Sequence, residues 1–245
     1  MMNVVSSEFY KIFKSRVFYA ISIILLAMNC ISFAASVSLK VKGKMSGTGF
    51  SNYQGSYSAD FIFYIIPIFI ACLITAEYSN GSIRQMACHG IARWKLVLGQ
   101  YIAMSFVITI ILLGFGILNL LSCTILSELG EVDTAAFIRM NIGVICMFWG
   151  TAGIGTFLSY LLKNEGIAII VSILLVTGSN FIANLLALLT RNDVFTRYSL
   201  TNMRKTIIDF TSKPEEVMKY SIVFFLIGII TILGSSLLFS KRDVD

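Results

Sequence analysis

Apolar residues along this chain gather into six long runs, 17–39, 60–77, 95–126, 137–162, 166–189 and 219–239, separated by polar connections of unequal length. Each run approaches or exceeds the roughly 20 apolar residues that a helix needs to cross about 30 Å of hydrocarbon. None alternates apolar and polar positions over about ten residues, as a membrane β-strand would. The pattern predicts an all-α integral membrane protein, a six-transmembrane-helix bundle forming a single domain over 1–245. Ahead of the first run, Val5, Phe9, Ile12 and Phe13 share one helical face and Glu8, Lys11 and Lys14 another, which predicts an interfacial helix over 1–16 lying on the membrane. A cleaved signal peptide ending near Phe33-Ala34-Ala35-Ser36 is the poorer reading, because the apolar run is longer than the roughly 7 to 15 residues of a signal core.

The connections carry local signals of their own. After the second span come Glu77-Tyr78-Ser79-Asn80-Gly81-Ser82-Ile83-Arg84-Gln85. Asn80-Gly81 favours left-handed backbone and stops a helix, and Ser82 with Gln85 three residues later reads as a capping box that starts another. In that short helix Ile83, Met86 and Ala87 fall on one face, Arg84, Gln85 and His89 lie off it, and Gly90 supplies a stop. Such a piece fits a groove on another protein. The stretch 43–58 reads as a Gly- and Ser-rich loop. In the long connection 190–219, Leu200, Met203, Ile207 and Thr211 recur at helical spacing, so part of it either re-enters or lies on the outer leaflet, or forms a plain loop helix.

Charge then orients the chain. An even number of spans puts both termini on one side, and the Lys and Arg residues nearest the span ends in short loops are Lys11, Lys14, Arg16, Arg84, Arg93, Lys95, Lys163, Lys241 and Arg242. Positive residues stay inside, so both termini and the loops after the second and fourth spans are expected in the cytoplasm, with Lys40, Lys42 and Lys44 as the exception. The net charge of +6 sits at membrane borders without interleaved aromatics, which speaks against nucleic acid and for anionic lipid headgroups.

Candidate chemistry is sparse. The single Gly-Lys pair, Gly43-Lys44, lacks the other residues of a phosphate-binding loop, so ATP hydrolysis by that device is excluded. One histidine, His89, cannot make a metalloprotease pair, and no two of the five cysteines have metal or redox spacing; no metal or cofactor is expected. Span interiors hold almost no acidic groups, with Asp60 and Glu77 at the two ends of the second span, so a proton- or cation-coupled carrier lacks its usual groups. Thr177, Asn180 and Asn184 form a stripe on the fifth span, and Asn119 with Ser122 lies late in the third. They either line a translocation path or hydrogen-bond neighbouring helices. Gly150, Thr151, Ala152, Gly153, Gly155 and Thr156 form a small-residue patch for close helix packing, or for a flexing gate. Pro67 removes a backbone hydrogen bond inside the second span.

Four motifs in this order around six spans carry a resemblance. They are Phe13-Lys14-Ser15-Arg16 closing the N-terminal segment, the stretch from Glu77 to Arg84, the stretch from Gly155 to Gly166, and Phe239-Ser240-Lys241-Arg242-Asp243. The chain resembles the membrane subunits of type-2 ABC exporters, especially the small permeases of bacterial bacteriocin-immunity and antimicrobial-peptide export systems. That resemblance implies a permease in the bacterial cytoplasmic membrane that pairs with a second permease copy or a related chain and binds cytoplasmic ATP-binding subunits. It implies that Glu77, Gly81, Ser82, Ile83, Arg84, Met86 and Ala87 belong to the ATPase-coupling segment. It also implies a re-entrant element within 190–219, and export of an amphiphilic peptide, drug or lipid. The competing readings are a non-transporting scaffold or sensor subunit and an intramembrane enzyme; the second lacks paired acid and base residues in the spans.

Overall fold

A computed structural model describes residues 2–43, 47–83, 92–192 and 194–241. Ten helices run through them: α1 (Met2–Lys14), α2 (Arg16–Val41), α3 (Gly49–Ser58), α4 (Asp60–Ser79), α5 (Arg93–Leu126), α6 (Thr134–Leu162), α7 (Glu165–Thr190), α8 (Val194–Arg197), α9 (Leu200–Ile208) and α10 (Pro214–Lys241). Helices α2, α4, α5, α6, α7 and α10 are long and apolar enough to cross a membrane, matching the six apolar runs. Short polar side chains start several helices by accepting an otherwise orphaned backbone N–H: Ser15 from Phe18 at 3.2 Å, Asn164 from Ile167 at 3.1 Å and Ser199 from Asn202 at 3.2 Å.

Helices α4, α5 and α6 supply most of the buried side chains, among them Ile66, Phe69, Ile70, Leu112 and Phe148. The outer helices α2, α7 and α10 leave large apolar residues such as Ile23, Leu174 and Ile230 exposed, as lipid-facing helices do. The small-residue patch is a helix-packing surface. A Cβ on Gly150 would stand 2.6 Å from the Phe224 carbonyl oxygen, and one on Gly153 would stand 2.9 Å from the Gly228 Cα, so α6 and α10 meet backbone to backbone.

Two connections are more ordered than an apolar-run reading shows. The Gly- and Ser-rich stretch expected as a loop contains helix α3, which lies along α5. Tyr53 and Tyr57, one turn apart, are 1% and 0% exposed. Tyr57 donates to the Leu112 carbonyl at 3.4 Å, and the Tyr53 hydroxyl bonds the Asn141 side chain. The orphan N–H groups of Gly49 and Phe50 find the carbonyls of Glu128 and Leu129 at 3.0 and 3.1 Å. Tertiary burial of two tyrosines overrides the weak helix propensity of this segment.

The long connection folds back on itself. Thr196 and Ser199 donate to the side-chain oxygens of Asn184 and Asn180 at 3.4 and 3.0 Å, so α8 runs back alongside α7. Asn180 lies ten residues short of Thr190, about 15 Å along the helix axis at 1.5 Å per residue. From there α9 turns outward again and buries Met203, Arg204, Ile207 and Ile208 against α4, α6 and α10. Helices α8 and α9 thus form a wedge folded back against the bundle.

Candidate functional site: a polar junction at the terminal end

One end of the bundle gathers α1, the end of α4, the start of α5, the α6–α7 turn and the end of α10; it is the terminal end, because both chain termini lead to it. Helix α4 stops there as its sequence directs. The Asn80 and Gly81 N–H groups bond back to Ala76 and Tyr78 at 3.0 and 3.2 Å, and Gly81 takes a φ of 69°, the left-handed value that favours glycine. Ser82 donates to the Glu77 carbonyl at 3.3 Å, and Ile83 is 1% exposed. Ile83 therefore packs into this chain's own core. Arg84, Met86 and Ala87 lie outside the described residues.

Glu77 is the hub. Its Oε1 accepts from Lys11 Nζ at 3.0 Å, and Lys11 also reaches Glu8 Oε1 at 2.6 Å. Its Oε2 accepts from the Gln100 amide, whose own oxygen accepts from the Tyr160 hydroxyl. The chain Glu8, Lys11, Glu77, Gln100, Tyr160 so links α1, α4, α5 and α6 through side chains that are all buried or half-buried. Aromatic contacts extend it: Tyr160 lies 5.8 Å from Tyr78 and 5.4 Å from Phe239, and Lys163 stands 5.6 Å over the Tyr78 ring. Arg93, at the start of α5, donates to the Phe239 and Ser240 carbonyls at 3.2 and 3.3 Å and so ties α10 to the same end.

The charges are unbalanced in an informative way. Glu8 and Glu77 share one ammonium, and Glu8 is 1% exposed. Burial, reinforced by the Glu77 charge, pushes the Glu8 carboxyl up to about 7. Burial draws Lys11 down, but its hydrogen bond to Glu8 and the Glu77 charge outweigh that and hold it above the ordinary lysine value. Among the described residues no cluster of three or more His, Cys, Asp or Glu side chains could hold a metal ion. The junction ties α1, α4, α5 and α6 together through side-chain contacts at this end of the bundle.

The remaining candidates separate. Asn119 donates to the Phe115 carbonyl of its own helix at 3.0 Å, where Asn29 of α2 also converges at 3.3 Å. Thr177 lines a small cavity beneath α9, while Asn180 and Asn184 hold the wedge. Sequence reasoning gave Glu8, Lys11 and Tyr160 no role at this site and did not single out Gln100. Glu8 and Lys11 were placed on the polar face of an interfacial helix, and only a glutamine inside an otherwise apolar run hinted at a buried partner.

Six helices long and apolar enough to cross a membrane, with a short amphipathic helix held at one end by a polar junction, define an integral membrane protein. A family model described as ABC-2 family transporter protein matches residues 4–179, well over half of the chain, from α1 to the middle of α7. The chain belongs to that family, and it is a membrane-spanning transport subunit. No curated protein matches it.

Proposed function

We propose that this permease exports an amphiphilic molecule across the bacterial cytoplasmic membrane, driven by ATP-binding subunits that dock on the segment after α4. The observation that carries this reading is the Glu77 junction, which joins the stem of that segment to α1, α5 and α6. Family membership supports the need for a separate ATPase, and the absence of a phosphate-binding loop from the sequence agrees with it. The distribution of Lys and Arg around the span ends supports placing both termini and this segment in the cytoplasm. Two copies, or this chain and a related one, would close around the translocation route. Closure of the ATPase subunits would push on the segment, and the junction would pass the shift to helices that switch between two packings. Antimicrobial-peptide immunity is the physiological role that the small-permease resemblance favours.

The test is capture of partners by the tagged protein from its native host in mild detergent. Wild type should retain a protein with a phosphate-binding loop, and a Met86→Asp, Ala87→Asp variant should lose it while staying folded. Ile83 is left intact in that variant because it is buried. Folded wild-type protein that retains no ATPase would replace the transporter reading by a scaffold or sensor subunit. For the immunity role, a deletion strain should become more sensitive to amphiphilic antimicrobial peptides, and unchanged sensitivity would refute it.

A further inference from the structure

Arg204, on α9 of the wedge, is 7% exposed, and its bonding is incomplete. Its Nη2 donates to Asp60 Oδ1 at 2.6 Å and to the Ser58 carbonyl at 3.3 Å, and its guanidinium lies 4.4 Å from the centre of the Phe63 ring. Its Nε is buried without a hydrogen-bond partner. A guanidinium is built to hold an oxyanion through two parallel N–H bonds, and Asp60 offers it a single oxygen. The Asp60 side chain is 60% exposed, so this internal carboxylate can swing away at little cost.

Arg204 lines a cavity of about 80 Å³ together with Asp60, Phe63, Thr151, Thr177 and Thr201. That is room for about two or three waters at roughly 30 Å³ each, or for one oxyanion group. The hydroxyls of Thr151 and Thr177 give their protons to carbonyls of their own helices, at 2.9 and 2.6 Å, which leaves their oxygens as acceptors. Next to this polar space lies an apolar groove of about 450 Å³ between α7 and α8, lined by Leu175, Ile182, Leu186, Val194 and Phe195, and Leu200 borders both.

We propose that the Arg204 cavity binds the phosphate or carboxylate head group of an anionic amphiphile whose apolar chain occupies the adjoining α7–α8 groove. Arg204 supplies the donors in place of Asp60, and the threonine oxygens accept from the head group's own hydroxyls or its retained waters. The site deepens the permease reading by giving the cargo a charge and a place in the wedge. Its role as a cargo site rests on that reading, whereas the binding itself does not.

The experiment uses the purified full chain in neutral maltoside micelles and follows its thermal unfolding midpoint against dodecyl phosphate, inorganic phosphate and dodecyltrimethylammonium. Dodecyl phosphate should raise the midpoint saturably and act at least about tenfold more tightly than inorganic phosphate, with no saturable effect of the cation. Arg204→Gln should weaken dodecyl phosphate by about tenfold or more, and Asp60→Asn should tighten it severalfold by removing the internal competitor. Equal effects of the anionic and cationic chains, or an Asp60→Asn variant that binds no more tightly than wild type, would overturn the proposal. Inorganic phosphate binding as tightly as dodecyl phosphate would overturn the amphiphile, leaving a free-anion site. If Arg204→Gln does not fold, Asp60→Asn, a change at an exposed side chain, decides alone. No ATPase is involved, so intact binding with no captured ATPase would remove the permease reading and leave the site standing.

Discussion

Glu8 shares the Lys11 ammonium with Glu77 while almost fully buried between α1 and the bundle, with Gln100 and Tyr160 next along the same hydrogen-bond chain. A carboxyl raised from 4.5 to about 7 in the folded protein holds its proton there more tightly than in the unfolded chain. Between those two values the folded state carries more protons, so stability falls as pH rises from about 4.5 to about 7 and the whole penalty stands above that. Amide hydrogen exchange of α1, corrected for intrinsic rates, should therefore show weaker protection at about pH 8 than at about pH 5.5 in the wild type. Glu8→Gln, which keeps the shape and removes the titration, should flatten that dependence. Equal pH dependence in both proteins would show that Glu8 does not hold α1 in place.

Among the described helices, α6 and α10 pack against each other most extensively, and the contact rests on glycines that let main chains touch. A methyl group at Gly150 would face the Phe224 carbonyl at 2.6 Å and the Phe224 ring at 3.0 Å, and a backbone oxygen cannot step aside without moving α10. Gly150→Ala should lower stability by about 1–3 kcal/mol, the cost of overpacking. At Gly178 on α7 a methyl group would meet nothing within 4 Å, so the same substitution should be neutral or raise stability by up to about 1 kcal/mol through helix propensity. Thermal unfolding of the two variants in one detergent checks the pair, and equal effects would mean that the patch serves as a loose gate and not as a packing surface. Helix α3 follows the same logic in reverse, since the missing side chain at Gly116 on α5 leaves the room that Tyr57 and Tyr53 fill.

Across the whole molecule the Glu77 junction and the Arg204 wedge stand near opposite ends of α4, which runs from Asp60 at the wedge to Glu77 at the junction. Seventeen residues of helix separate these two acidic groups, about 25 Å at 1.5 Å per residue, so one continuous helix touches both. Under the proposed transport cycle, a push on α4 at the junction end would reach the wedge at the other end. In a background freed of the native cysteines, Asn180→Cys with Ser199→Cys should form a disulfide under oxidation, because the two side chains already meet at 3.0 Å. Oxidation should stop export while leaving ATPase capture intact, and reduction should restore export. Undiminished export by the cross-linked protein would show that the wedge stays fixed throughout the cycle.

The six spans and their all-α class were legible in the sequence, because covering a helix backbone in hydrocarbon demands long apolar runs, and the stop after the second span was legible because Gly81 acts on backbone only a few residues away. The place where Glu77 ends its helix was legible for the same local reason. Its partners were not, since Lys11 is 66 residues and Gln100 is 23 residues distant along the chain, and no periodicity records which polar face meets which. The burial of Ile83 and the hydrogen bonds of Asn180 and Asn184 to Ser199 and Thr196 were likewise absent from the sequence pattern. Helix α3 was hidden because its stability comes from two tyrosines entering a space left by α5. Short-range chemistry determined the elements of this protein, and only the tertiary structure decided which buried charges and amides would satisfy one another, because that depends on distances the chain closes only when it folds.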